Sequence, residues 1–136
     1  PTTEALMSDA LRPPDGWTLY HSIALLLVGA SVIDGELAPE EVTIIRERLG
    51  AYPELGAPQE VMALVVPYFE TLRGTDSAMW ALDKHARQLA KALSEDACKL
   101  VANDIIAVVG ADGELHPNER DYVTSVCRHF GLELPP

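Results

Sequence analysis

Ten lysines and arginines stand against 21 aspartates and glutamates, and the chain carries a formal net charge of −11. A nucleic-acid or anionic membrane surface needs clustered basic side chains to neutralise phosphates, so this shortage argues against both as partners. Cations and basic protein surfaces stay compatible. Long apolar runs are lacking as well: the longest, at 23–30, 61–69 and 105–111, fall far short of the roughly 20 residues that cross a bilayer. No direct membrane insertion is expected. No basic start leads into an apolar stretch and a cleavage site, so export is not indicated either.

Cysteine is scarce. Cys98 and Cys127 each fall on an apolar-periodic stretch, which reads as a buried, reduced thiol rather than a disulfide half. A cytoplasmic setting follows as the expectation. The recognisable catalytic motifs are missing too: no HExxH or CxxC, no Gly-rich phosphate loop, no nucleophile elbow. The four histidines, at 21, 85, 116 and 129, form no pair at i, i+4. Asp83 and His85 are two apart on one helical pattern, so they diverge and cannot share a target. No enzymatic activity is expected.

What the chain does contain is helix periodicity punctuated by clear stops. A short helical pattern over the first dozen residues ends at Pro13-Pro14-Asp15-Gly16. Residues 17–33 are apolar on nearly every face, which places that helix at the centre of the fold. Pro39 and Pro58 suit first helical positions, and Gly50 suits a stop between them. Thr75 or Asp76 can cap a helix burying Met79, Leu82, Ala86, Leu89 and Leu93, while the run 83–88 reads as a solvated face. Ser94 can cap the helix spanning about 97–109, and Pro117 opens the last, which stops at Gly131. The expected fold is all-α: a single domain of about seven helices, with no strand. Residues 1–16 form a short helix and Pro-rich linker, 17–132 the helical domain, and 133–136 a tail. Trp17 and Tyr20, beside the linker, either present an aromatic patch to a protein partner or staple the leading segment onto the core.

One phrase occurs twice, 78 positions apart. Asp34-Gly35-Glu36-Leu37-Ala38-Pro39-Glu40-Glu41 and Asp112-Gly113-Glu114-Leu115-His116-Pro117-Asn118-Glu119 share six of eight residues. Each follows an apolar run and precedes an amphipathic one, so the domain contains two internally repeated helix–turn–helix units. The phrase matches the second half of an EF-hand calcium loop: a Gly for the bend, an apolar residue, and a terminal acid at Glu41 or Glu119. The first half is missing, because Ala30, Val32, Val108 and Gly110 stand where that loop needs oxygen side chains. The same phrase has a purely structural reading. Gly35 and Gly113 would take a left-handed bend, Leu37 and Leu115 would fill the core, and Glu41 and Glu119 would reach back to the cap N–H.

These two phrases, with Val32-Ile33 and Gly110-Ala111 ahead of them and Cys127-Arg128-His129-Phe130-Gly131-Leu132 at the end, resemble the TerB family of tellurite-resistance proteins over roughly residues 17–132. The resemblance implies an all-helical, non-enzymatic domain associated with tellurite resistance and stress. It also implies weak binding of a divalent metal ion, calcium or another, through acidic residues. Carried over by position, these are Asp34, Glu41, Asp112 and Glu119, with Asp104 a further acid on the preceding helix. Leu26 departs from the pattern at the first-repeat position matching Asp104. The alternative is a protein-interaction module, with an unidentified protein partner, in which the acidic turns are structural.

Overall fold

The computed structural model describes residues 15–32, 39–52, 57–72, 77–110 and 117–132. They form six helices: α1 (Leu19–Val32), α2 (Pro39–Leu49), α3 (Pro58–Leu72), α4 (Ser77–Ala92), α5 (Glu95–Val109) and α6 (Pro117–Phe130). Among the described residues there is no strand. The additional helix expected near the N-terminus falls on residues 1–14, outside the described residues, as does the tail 133–136.

Local chemistry accounts for the helix ends. α2 and α6 open on prolines, whose missing N–H would have had no helical partner there, and each carries acid in its first turn and base in its last. α5 opens on Ser94, whose Oγ accepts the Ala97 N–H at 3.2 Å. That places the start of the helix at Glu95, two residues earlier than the pattern suggests. α6 stops at Gly131, where φ is +71°, with the Leu132 N–H returning to the Cys127 carbonyl at 2.9 Å. This 6→1 bond around a left-handed residue is the Schellman arrangement. Pro67 removes one N–H from the bonding inside α3, but both it and Ala63, four residues earlier, are exposed, and the helix continues to Leu72.

α1 is the axle. Ile23, Ala24, Leu25, Leu26, Leu27, Val28 and Ala30 are all buried, and α1 packs against each of the other five helices. A helix apolar all round has no face to offer water, so it is enclosed. α3 and α4 lie between the two repeat units in sequence and both pack on α1; α4 also packs on α6. The units themselves are α1–α2 and α5–α6, with Pro39 and Pro117 each first in its helix. They interlock, because α1 packs on α5, α2 reaches α5, and α6 reaches α1.

Two details of α4 differ from the sequence pattern. Met79, expected in its buried face, is 45% exposed. The run 83–88 is not uniformly solvated: His85 and Ala86 are buried, Asp83 and Lys84 half-buried, and Arg87 and Gln88 exposed. The 3.6-residue period governs here, and a string of polar letters conceals it.

Candidate functional site

The repeat acids divide into those placed by the structure and those outside it. Asp34 and Asp112, with the expected glycine bends at Gly35 and Gly113, lie outside the described residues. Glu41 and Glu119 are each the third residue of a Pro-started helix, where a carboxylate faces the positive end of the helix dipole. Glu119 is buried at 7% exposure and Glu41 is half-buried. Among the described residues, no three His, Cys, Asp or Glu side chains are grouped so as to hold a metal ion.

Asp104 has a different role from the turn acids. Its side chain is 3% exposed; the Tyr52 hydroxyl donates to Oδ2 at 2.7 Å, and Arg48 Nη1 stands 3.6 Å from Oδ1. Burial pushes the carboxyl above the ordinary aspartate range, while the Tyr52 bond and the Arg48 charge pull it back. The Tyr52 phenol is raised in turn by its own burial and by the carboxylate it serves. The structure thus brings Asp104 to Tyr52 and Arg48, tying the end of α2 to α5. A cation added there would meet the Arg48 guanidinium, so the donor set fits a divalent metal poorly at this position.

Position 26, 78 residues before Asp104, also accepts a tyrosine hydroxyl, but through its backbone and from a tyrosine that is not the repeat counterpart of Tyr52. The Tyr122 hydroxyl donates to the Leu26 carbonyl at 2.7 Å, deep in the core. Burial, followed by the nearby Asp83 charge, raises the Tyr122 phenol.

Two polar clusters escaped the sequence reading. On one side of α4, Asp83 Oδ1 accepts from Ser125 Oγ at 3.2 Å and lies 3.3 Å from His129 Nε2, which clamps α4 to α6. On the other, His85 Nδ1 lies 2.9 Å from Ser22 Oγ of α1, and Ser22 also accepts the Trp17 indole N–H at 2.8 Å. The divergence of Asp83 and His85 was legible from their spacing; their partners, 42 and 63 residues away, were not. Ser22 and His85 are both 3% exposed, so this hydroxyl is packed away from solvent rather than presented to a substrate. Trp17 stands half-buried against Tyr68 at 5.0 Å between ring centres, as the staple reading requires.

Cys98 and Cys127 are free and buried, and burial raises both thiols, with the Glu95 charge adding to the effect at Cys98. A shallow, open pocket of about 260 Å³ lies between α4 and α6, lined by Met79, Asn118, Asp121 and Tyr122. Among the described residues no helix is long and apolar enough to cross a membrane.

No curated protein and no solved structure matches the chain. The family described as tellurite resistance protein TerB matches residues 21–134, which takes in all six helices except the first two residues of α1. The chain belongs to the TerB family of tellurite-resistance proteins.

Proposed function

We propose that this chain is a non-enzymatic, stress-associated domain of tellurite-resistance systems that takes up divalent cations weakly at its two acidic turns. Glu41 and Glu119 supply carboxylate oxygens from the first turns of α2 and α6, and Asp34 and Asp112 join them from the adjoining Asp-Gly phrases. Hard oxygen donors of this kind suit calcium or a similar ion. The observation that supports the reading best is Glu119: a carboxylate at 7% exposure, placed at the same turn as Glu41 78 residues earlier. Asp104 is left out of the ligand set, because Tyr52 and Arg48 already hold it. Calorimetric titration with calcium, magnesium, manganese and zinc tests the proposal. An incomplete ligand set implies a dissociation constant of roughly 0.1–1 mM for the preferred ion. Heats equal to dilution for all four ions would refute it.

Asp104 also supports a second reading. An acid of the same family pattern is neutralised inside the fold and does structural work, and the turn acids could do likewise. The domain would then be an interaction module, with function in a surface recognised by a protein partner. Cation-independent stability combined with retained partner binding after Glu41→Gln and Glu119→Gln would favour that reading.

A further inference from the structure

Met79 is the third residue of α4 and is 45% exposed, although its helical position puts it in line with buried Leu82 and Ala86. It borders the pocket of about 260 Å³ near the starts of α4 and α6, whose other walls are Asn118, Asp121 and Tyr122 of α6. That volume lies below the roughly 300–1,000 Å³ of small-molecule clefts and is on the scale of one side chain. The floor is apolar, because the Tyr122 hydroxyl is turned inward and spent on the Leu26 carbonyl. Asn118 and Asp121 are exposed and form a polar rim. Carboxylates dominate the charge here. Among the described residues, no basic side chain pairs with Asp121. Asp83 lies one turn further along the same seam, where Ser125 and His129 meet it, and its charge reaches Tyr122. Glu119 adds a third carboxylate in the first turn of α6. Against these three stand the positive ends of the α4 and α6 dipoles, about half a charge each, so the balance favours a cation. Lys84 is drawn over the Trp80 ring, 5.5 Å from its centre, and Arg120 projects about 100° round the helix from Asp121.

We propose that this pocket is a docking point for an arginine side chain displayed by a partner protein, an inference that rests on the interaction-module reading and names its partner surface. The methylene stem lies against the Met79 thioether, an adaptable apolar wall, while the guanidinium stays at the wet rim. There the Asp121 carboxylate accepts one of its N–H groups and the Asn118 side-chain oxygen another. Lysine carries the same charge, but its ammonium is a strongly hydrated point charge without the planar fork that serves two acceptors at once. A free divalent ion gains little from a thioether and an amide beside a single carboxylate. An arginine combines the apolar stem and the forked cation that these four residues select.

The test uses the whole chain with isotope-labelled methionine methyl groups, titrated at constant ionic strength with the tripeptide Gly-Arg-Gly blocked at both ends. Met79 reports on the pocket, and Met62, buried in the core, is the reference. The expected result is a saturable shift of the Met79 methyl resonance in the millimolar range with Met62 unmoved. The same peptide carrying citrulline, which keeps the shape and loses the charge, should bind more weakly, and so should its lysine version. Asp121→Asn, an exposed position that leaves the fold intact, should weaken the arginine peptide by roughly two- to five-fold. Glu47→Gln, which removes an exposed acid from α2, should not. No saturable Met79 shift, equal binding of citrulline or lysine, or equal effects of Asp121→Asn and Glu47→Gln would each overturn the proposal. Such a failure leaves the interaction-module reading standing, because that reading is decided by the stability and partner binding of Glu41→Gln and Glu119→Gln.

Discussion

The Tyr122 hydroxyl donates to the Leu26 carbonyl at 2.7 Å, joining the second helix of one repeat unit to the first helix of the other. Tyr52, just beyond α2, makes the reciprocal contact at 2.7 Å to Asp104, the residue 78 positions after Leu26. The two units thus clasp each other twice at matching acceptor positions, once through a backbone carbonyl and once through a carboxylate, from donors that do not match, since Tyr122 corresponds to Ile44 and Tyr52 to Phe130 in the repeat. The energetics should differ. Leu26 sits inside α1, where its carbonyl also serves the helix, so Tyr122→Phe forfeits an ordinary bond of about 0.5–1.5 kcal/mol. Tyr52→Phe leaves a buried carboxylate with Arg48 at 3.6 Å as its nearest donor and should cost about 1.5–3 kcal/mol. Urea unfolding of the two variants checks the order. Equal costs would mean that Asp104 is hydrated in solution.

Two glycines should resist substitution for opposite reasons. Gly131 has φ +71° and open space where a side chain would go, so Gly131→Ala should cost about 1–2 kcal/mol through the backbone alone. At Gly29 a Cβ would lie 3.0 Å from Leu82 and 3.2 Å from the Tyr122 hydroxyl. Gly29→Val overpacks that seam and should cost about 1–3 kcal/mol. Shortening Leu82 to Ala should recover part of the Gly29→Val loss and none of the Gly131→Ala loss, as a double-mutant cycle would show.

Much of this fold was legible because the signals are local. Pro39, Pro58, Ser94, Pro117 and Gly131 mark helix ends through their own backbone chemistry, and the unbroken apolar pattern of α1 predicts its enclosure. Met79 escaped because burial depends on where α4 ends against α6, and periodicity alone cannot report that. Tyr52–Asp104 and Ser22–His85 escaped because hydrogen bonds between distant residues leave no periodic trace. The repeat pointed to position 104 as different from position 26, and it could not say that a tyrosine and an arginine would meet the acid there. Of the turn acids, the sequence placed Glu41 and Glu119 correctly in first helical turns, and Asp34 and Asp112 fall outside the described residues.

Stability should fall on the acid side of neutrality through His85. Its folded value, about 4, lies below the unfolded 6.5, so the unfolded chain takes the proton first. The His85 contribution is therefore complete above pH 6.5 and shrinks as pH falls towards 4. The loss should reach about 2 kcal/mol by pH 5 and about 3 kcal/mol by pH 4. Asp104, raised by burial, works the other way, because the folded state takes its proton first as pH falls. Comparing the parent with His85→Gln at pH 7 and pH 5 cancels the Asp104 effect. The variant should lose about 2 kcal/mol less over that interval, as guanidinium melts at the two pH values would register.

The two acidic turns carry the proposed cation binding, and a cation-specific thermal shift probes them directly. With a dissociation constant of roughly 0.1–1 mM, 5 mM calcium or the preferred ion should stabilise the fold by about 1–2.3 kcal/mol. That corresponds to a rise in Tm of roughly 2–8 °C. Sodium chloride at matched ionic strength is the reference, because a chain of net charge −11 gains from any screening. The account predicts that the ion-specific rise disappears when Glu41→Gln and Glu119→Gln are combined, and persists when the exposed acids of the same helices are changed by Glu47→Gln and Asp121→Asn. No ion-specific rise, or one indifferent to Glu41 and Glu119, would contradict it.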